Sequence, residues 1–405
     1  MSTYIVYWTR MIKTALSGSK AYFLWLAALI TVCLIGLYYY YNQFQYGLIS
    51  TNMTDEVSWG AYIANFTYMV GVAAAAVLLV TAAYVYHNEA VHEIVLIGEL
   101  MAFSALVMCL LFISVDLGRP DRFWHILPFL GRLNFPRSIL AWDVVVINGY
   151  LLLNTHIPGY LLYSMYRGKP ANRAYYLPFV FLSIFWAISL HTVTAFLYSG
   201  LGGRPFWNSA ILAPRFLVSA FTCGPAILII AFSALNEIYK NDNFKIKEEV
   251  FTILKKIISF TMPLNLFLLF CELFKEFYTD NAHVISAKYL FFGLEEHNKL
   301  VPYIWTAIIF NIFSAIVYTT KLKEKKKLLL FTCLLTILGT WVEKGMGLII
   351  PAFIPSTLGE IVEYSPSISE FWISSGIWAF GILAFTINVK ICIAIMTGKL
   401  REQNA

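Results

Sequence analysis

The sequence predicts an all-α polytopic membrane protein with about ten transmembrane helices. Three observations carry that prediction. Of 405 residues, 59% are hydrophobic and 13% charged, against roughly 25% charged in soluble proteins. The apolar residues gather into ten continuous runs, each near the ~20 residues that cross a bilayer core. None of the runs shows the strict two-residue alternation of a barrel strand. A soluble enzyme, a nucleic-acid-binding protein and a disordered scaffold are excluded, because a water-facing surface needs more polar residues than the chain has. The net charge of +6 sits in short segments between apolar runs and is no nucleic-acid signature.

The runs are 21–41, 58–86, 91–116, 139–166, 173–200, 208–239, 249–275, 299–321, 326–350 and 370–396. The whole chain, 1–405, reads as one integral membrane domain. The first run begins late and lacks a small-residue cleavage pattern, so it is expected to be a retained helix. Orientation follows the positive-inside rule. With the N-terminus inside, inner segments carry sixteen Lys and Arg, and outer loops carry six. Both termini are therefore expected on the cytoplasmic side of a plasma membrane.

Two absences narrow the chemistry. A b-type haem needs paired axial imidazoles at matching depth. Of the seven histidines (87, 92, 125, 156, 191, 283 and 297), only His156 and His191 lie well inside runs. At about 1.5 Å per residue their depths differ by about 12 Å, so no haem is expected. The six cysteines are isolated in apolar runs with no C-x-x-C spacing, so neither an iron–sulfur cluster nor zinc is expected in this chain.

Charged and polar residues concentrate toward the outer side. Asp116 ends the third run, and Gly118 and Pro120 break the helix beyond it. Arg119, three residues on, is placed to pair with Asp116. The loop continues through His125, Pro128 and Arg137, and its many apolar residues suggest a structured hairpin or short interfacial helix tucked against the outer surface. Trp59, Trp142, Asp143, His191, Thr194, Arg215 and Glu272 reach the same level. Glu343 and Lys344 are adjacent and expected to neutralise each other. Intramembrane charge is costly and marks functional positions. A quinol headgroup needs this chemistry: hydrogen bonds at both oxygens and acceptors for two protons. Asp116, Asp143 and His191 are the candidate proton acceptors. Trp59, Arg119, His125, Trp142, Thr194 and Arg215 are the candidate headgroup contacts. Deeper toward the inside, Glu99 and His156 lie at comparable depth and read as a proton path.

The stretch Ser114-Val115-Asp116-Leu117-Gly118-Arg119-Pro120, with Asn134-Phe135-Pro136-Arg137-Ser138 and Trp142-Asp143, resembles the NrfD/PsrC family of polysulfide-reductase membrane subunits. Trp59-Gly60, Gly98-Glu99, His191 to Phe196 and Ala213 to Phe216 are similar too. Ten spans look closest to the DsrP branch, whose complexes (DsrMKJOP) serve dissimilatory sulfur metabolism. The resemblance implies two four-helix bundles, 58–200 with outer loop 117–138 and 208–350, with 21–41 and 370–396 peripheral. It further implies menaquinone as bound substrate and an external ferredoxin-like iron–sulfur subunit, with cytochrome and further membrane subunits of a Dsr-type complex as partners. Energy conservation by proton translocation is consistent with the inner polar pair. Two other readings stay open. A passive anchor predicts no specific quinone affinity, and a secondary transporter predicts ion-driven uptake without a redox partner.

Overall fold

The computed structural model describes residues 3–127, 129–241, 244–279 and 284–402; Pro128 and His283 lie outside them. Among the described residues there is no β-strand, only an isolated bridge between Leu294 and His297. Helix is what a long apolar run must form in lipid, because each backbone N–H and C=O then finds its partner within the segment. Ten helices are long and apolar enough to cross a membrane.

An amphipathic helix that the apolar runs do not reveal, α1 (Thr3–Ala15), precedes the spans. The first span is α2 (Lys20–Tyr46), capped at its start by Ser19. Next come α3 (Ala61–Val80), α4 (Val95–Asp116), α5 (Ile139–Tyr166) and α6 (Leu177–Ser199). Then follow α7 (Leu212–Ile238) and α8 (Glu248–Thr279), the short α9 (Val284–Phe292), and α10 (Val301–Thr319). The last two are α11 (Lys326–Trp341) and α12 (Ile368–Met396), the latter started by a Ser367–Glu370 capping box. Two π-helical turns, Thr81–Val85 and Val342–Met346, extend α3 and α11.

Helices α3 to α6 pack in a ring, each on its chain neighbour and α3 on α6. Helices α7, α8, α10 and α11 close a second ring, and α7 packs against both α3 and α6. The two-bundle arrangement rests on this packing. Helix α2 lies outside, against α12, and α12 in turn packs on α4. The termini share one face, where Arg10 donates to the Arg401 carbonyl at 2.7 Å. The opposite face carries the 117–138 loop.

Helix α3 is buried on nearly every side. It is fixed there by Asn65, whose side-chain oxygen accepts from the indole N–H groups of Trp341 at 3.0 Å and Trp378 at 2.9 Å. One residue thus ties α3 to α11 and α12. The α2–α12 crossing depends on glycine: a Cβ on Gly36 would sit 2.8 Å from the Gly376 Cα. Gly36→Leu should therefore force the pair apart at a cost of about 1–3 kcal/mol. A lowered thermal midpoint of the purified protein is the expected readout, and an unchanged midpoint would contradict this crossing.

Candidate functional site

Polar side chains cluster in both rings, toward the loop face. In the first ring, α5 presents Asp143 and α6 presents His191, Thr194 and Tyr198. The three α6 residues sit at positions i, i+3 and i+7, one face of a helix. All four side chains are buried. The Thr194 hydroxyl donates to Asp143 Oδ1 at 2.8 Å and to the Leu190 carbonyl at 2.9 Å. Tyr198 shares a hydrogen bond with Thr67 of α3. Among the described residues, neither ring nitrogen of His191 has a side-chain partner, the Ala187 carbonyl one turn back being its neighbouring backbone acceptor, and Asp116 Oδ1 has no partner. Leaving such groups unpaired away from water costs about 1–3 kcal/mol each, which marks these atoms as able to take a polar ligand or a proton.

The other expected contacts are placed differently. Arg119 does not pair with Asp116. It makes a two-pronged ion pair with Asp121, at 3.0 and 2.8 Å. Leu117 is already extended, so the turn carries Arg119 away from the helix end. Hydrogen bonding to Arg119 holds the exposed Asp121 carboxyl below its ordinary range. The loop forms a 3-10 helix, Pro120–Ile126, and folds back where Arg132 N–H donates to the His125 carbonyl at 2.8 Å. It is not tucked in: Phe123, Trp124, Phe129, Leu130 and His125 are exposed. Trp142 donates to the Pro136 carbonyl at 2.8 Å and packs on Phe135, and so holds the loop's return to α5. Trp59 joins Tyr198, Trp207 and Phe353 in an aromatic cluster that spans both rings.

The second ring holds a charge network that the sequence only hinted at. Arg215 of α7 lies between two carboxylates: it bonds Glu272 of α8, and its other terminal nitrogen is 3.0 Å from Glu343. Asn311 and Asn265 donate to Glu343 Oε2 at 2.8 and 3.2 Å. Glu343 and Lys344 are not each other's main partners. The Lys344 ammonium donates to the Phe216 carbonyl at 3.3 Å and sits 4.5 Å from that residue's ring centre. A π-turn lets both adjacent side chains face inward, which an unbroken α-helix does poorly. Toward the terminal face the polar file continues through Thr340, Thr336 and Tyr318, whose hydroxyl is 2.9 Å from Thr336. It ends at Ser259 and Lys255, the latter paired with Glu324 at 2.6 Å. Asn265, Asn311, Thr336 and Thr340 escaped sequence reasoning because single polar residues in apolar runs look like ordinary helix contacts. The i, i+4 spacing of Thr332, Thr336 and Thr340 on α11 was the available signal.

Glu99 of α4 is buried, with one oxygen unpartnered. His156 faces outward from the ring and bonds the Tyr175 carbonyl at 2.9 Å; no hydrogen bond joins it to Glu99. Among the described residues no cluster of His, Cys, Asp and Glu could hold a metal ion.

The profile of the family described as "Polysulphide reductase, NrfD" matches residues 49–354. A selenate reductase subunit of Mesobacillus selenatarsenatis is 24% identical, over 91% of this chain and 93% of its own. The Hdr-like menaquinol oxidoreductase integral membrane subunit of Archaeoglobus fulgidus is 24% identical over 92% and 93%. A putative dimethyl sulfoxide reductase membrane subunit of Halobacterium salinarum is 30% identical over 51% and 50%.

Arg215→Met strands two buried carboxylates and should destabilise the protein by about 3–5 kcal/mol. Adding Glu272→Gln and Glu343→Gln should recover most of that. Denaturation of the single and triple variants checks it; equal losses would show that the ion pairs do not govern stability.

Proposed function

This chain belongs to the polysulphide reductase NrfD family, and from that premise we propose that it is the quinone-reactive membrane subunit of a respiratory oxidoreductase complex. In this reading menaquinol binds at the loop-face end of the first ring. The observation that carries it is the buried pair Asp143 and His191, with the half-buried Asp116 at the end of α4. Thr194 fixes Asp143, and the His191 ring nitrogens and one Asp116 oxygen have no side-chain partner among the described residues. His191 and the carboxylates accept the quinol protons. The Trp59 cluster walls the ring's site, while Arg119, His125 and Trp142 belong to the loop above it. The apolar exposed loop is the seat of an iron–sulfur subunit that takes the electrons, and no step needs a metal in this chain. Further cytochrome and membrane subunits complete a complex of the Dsr type in sulfur metabolism. The membrane is the plasma membrane, with both termini cytoplasmic, as the basic residues of the terminal face suggest. The relative named as a menaquinol oxidoreductase subunit supports the quinone.

Arg215 is better placed for charge transfer in the second ring than for headgroup binding, since both carboxylates occupy it. The polar file from Lys255 to Glu272 supports a proton route coupled to quinol oxidation, with the buried Glu99 a shorter branch in the first ring. His156 is the weaker member of that branch.

His191→Ala and Asp143→Asn should each lower menaquinol-driven turnover of the assembled complex by at least about 100-fold, with every partner protein retained. Full turnover in both would sink the site. In proteoliposomes, Glu343→Gln should lower the ratio of protons moved to quinol oxidised; an unchanged ratio removes the second-ring route.

A further inference from the structure

A groove of about 450 Å³ runs up the terminal-face half of the first ring, between α1, α4, α5 and α12. It lies on the opposite side of the membrane from the Asp143–His191 cluster. Its size falls in the ~300–1,000 Å³ range of small-ligand sites. Aromatic side chains from α1 and α5, among them Tyr7, Trp8, Tyr160 and Tyr163, line it. Helix α1 delivers Tyr4, Tyr7, Trp8 and Met11 on one face, the i, i+3, i+4, i+7 pattern of an amphipathic helix. Gly159 lies on the wall beside open space: a Cβ built there meets nothing within 4 Å, so a large side chain has room to enter the groove.

The groove is not simply greasy. Asn388 of α12 lines it, and its amide makes no hydrogen bond among the described residues. Pro158 has no N–H, so the Asn154 carbonyl on the same wall lacks its helical donor. His156 lines this groove and also a second cleft of about 280 Å³ between α5 and α6. Its Nε2 is engaged with the Tyr175 carbonyl, which leaves Nδ1 as an acceptor. At about 1.5 Å per residue, these groups lie roughly 12–18 Å from the terminal-face ends of their helices. Unpaired polar groups at that depth cost several kcal/mol, and a ligand that pairs them recovers the cost.

We propose that this groove is a second prenylquinone site, on the terminal-face side, in which the Asn388 amide donates to one ring oxygen, His156 Nδ1 accepts from the hydroxyl of the reduced, quinol form, and the aromatic wall packs the ring. Depth decides the ligand class. A phospholipid keeps its polar groups at the interface and would lay only an acyl chain against Asn388. A quinone carries hydrogen-bonding oxygens on a flat ring that enters the hydrocarbon with its tail. The proposal rests on the chain working with quinone.

The probe is a photoreactive naphthoquinone applied to the purified complex, with adducts mapped by mass spectrometry. Wild type should label saturably on α5 and α12 near 154–163 and 388. Gly159→Trp, which fills the groove, should abolish that labelling, and Asn388→Leu should weaken it roughly tenfold. His191→Ala should leave it in place while removing labelling at the loop face. No saturable groove labelling, labelling that survives Gly159→Trp, or a tightly retained phospholipid displaced by that substitution would each overturn the proposal. Absence of loop-face labelling in the wild type, with the groove still labelled, would count against the first site and leave this one standing. Native gels of each variant confirm that the complex remains assembled.

Discussion

One guanidinium held between two carboxylates organises the second ring. Arg215 reaches from α7 to Glu272 on α8 and to Glu343 beyond α11, and Asn311 brings α10 to the same point. All four helices of that ring therefore meet at one charge centre. Charge removed from water is tolerated only when its partners are geometrically fixed. The π-turn at Val342–Met346 follows from this demand. It turns Glu343 toward Arg215 and Lys344 toward Phe216, and places α11 where its Thr332, Thr336 and Thr340 face inward.

The first ring is built around a different constraint. Helix α3 is enclosed by this ring, the second ring and α12, and its polar groups must be answered by neighbours. Asn65 is answered by two tryptophans from α11 and α12, and Thr67 by Tyr198. The Asp143–Thr194 bond then fixes α5 against α6 and orients the wall that carries His191. Stability and chemistry occupy the same side chains here. The aromatic contact of Trp59, Trp207 and Phe353 joins the rings at the loop face, so one ring's geometry bears on the other's.

Much of this was legible in the chain. The ten spans were readable because hydrocarbon demands continuous apolar runs, and observed helix ends fall within a few residues of those runs. The polar level of Asp143, His191 and Thr194 was readable because helical rise converts residue number into depth. Helix α1 was missed because its apolar face is broken by polar residues and is too short to span. The Arg119–Asp116 pairing failed because spacing along a helix says nothing once the helix has ended.

What the sequence alone determined is a helical membrane protein, its number of spans, and which residues lie near which face. Those follow from solvation, a property that each segment carries by itself. Tertiary structure decided the partners. Glu343 bonds Arg215 rather than Lys344, His156 faces outward while Glu99 faces in, and Asn388 ends in a groove with Asn154. Rotation about a helix axis costs an all-apolar helix little in lipid, so burial pattern could not assign its facing sides; only packing against particular neighbours does.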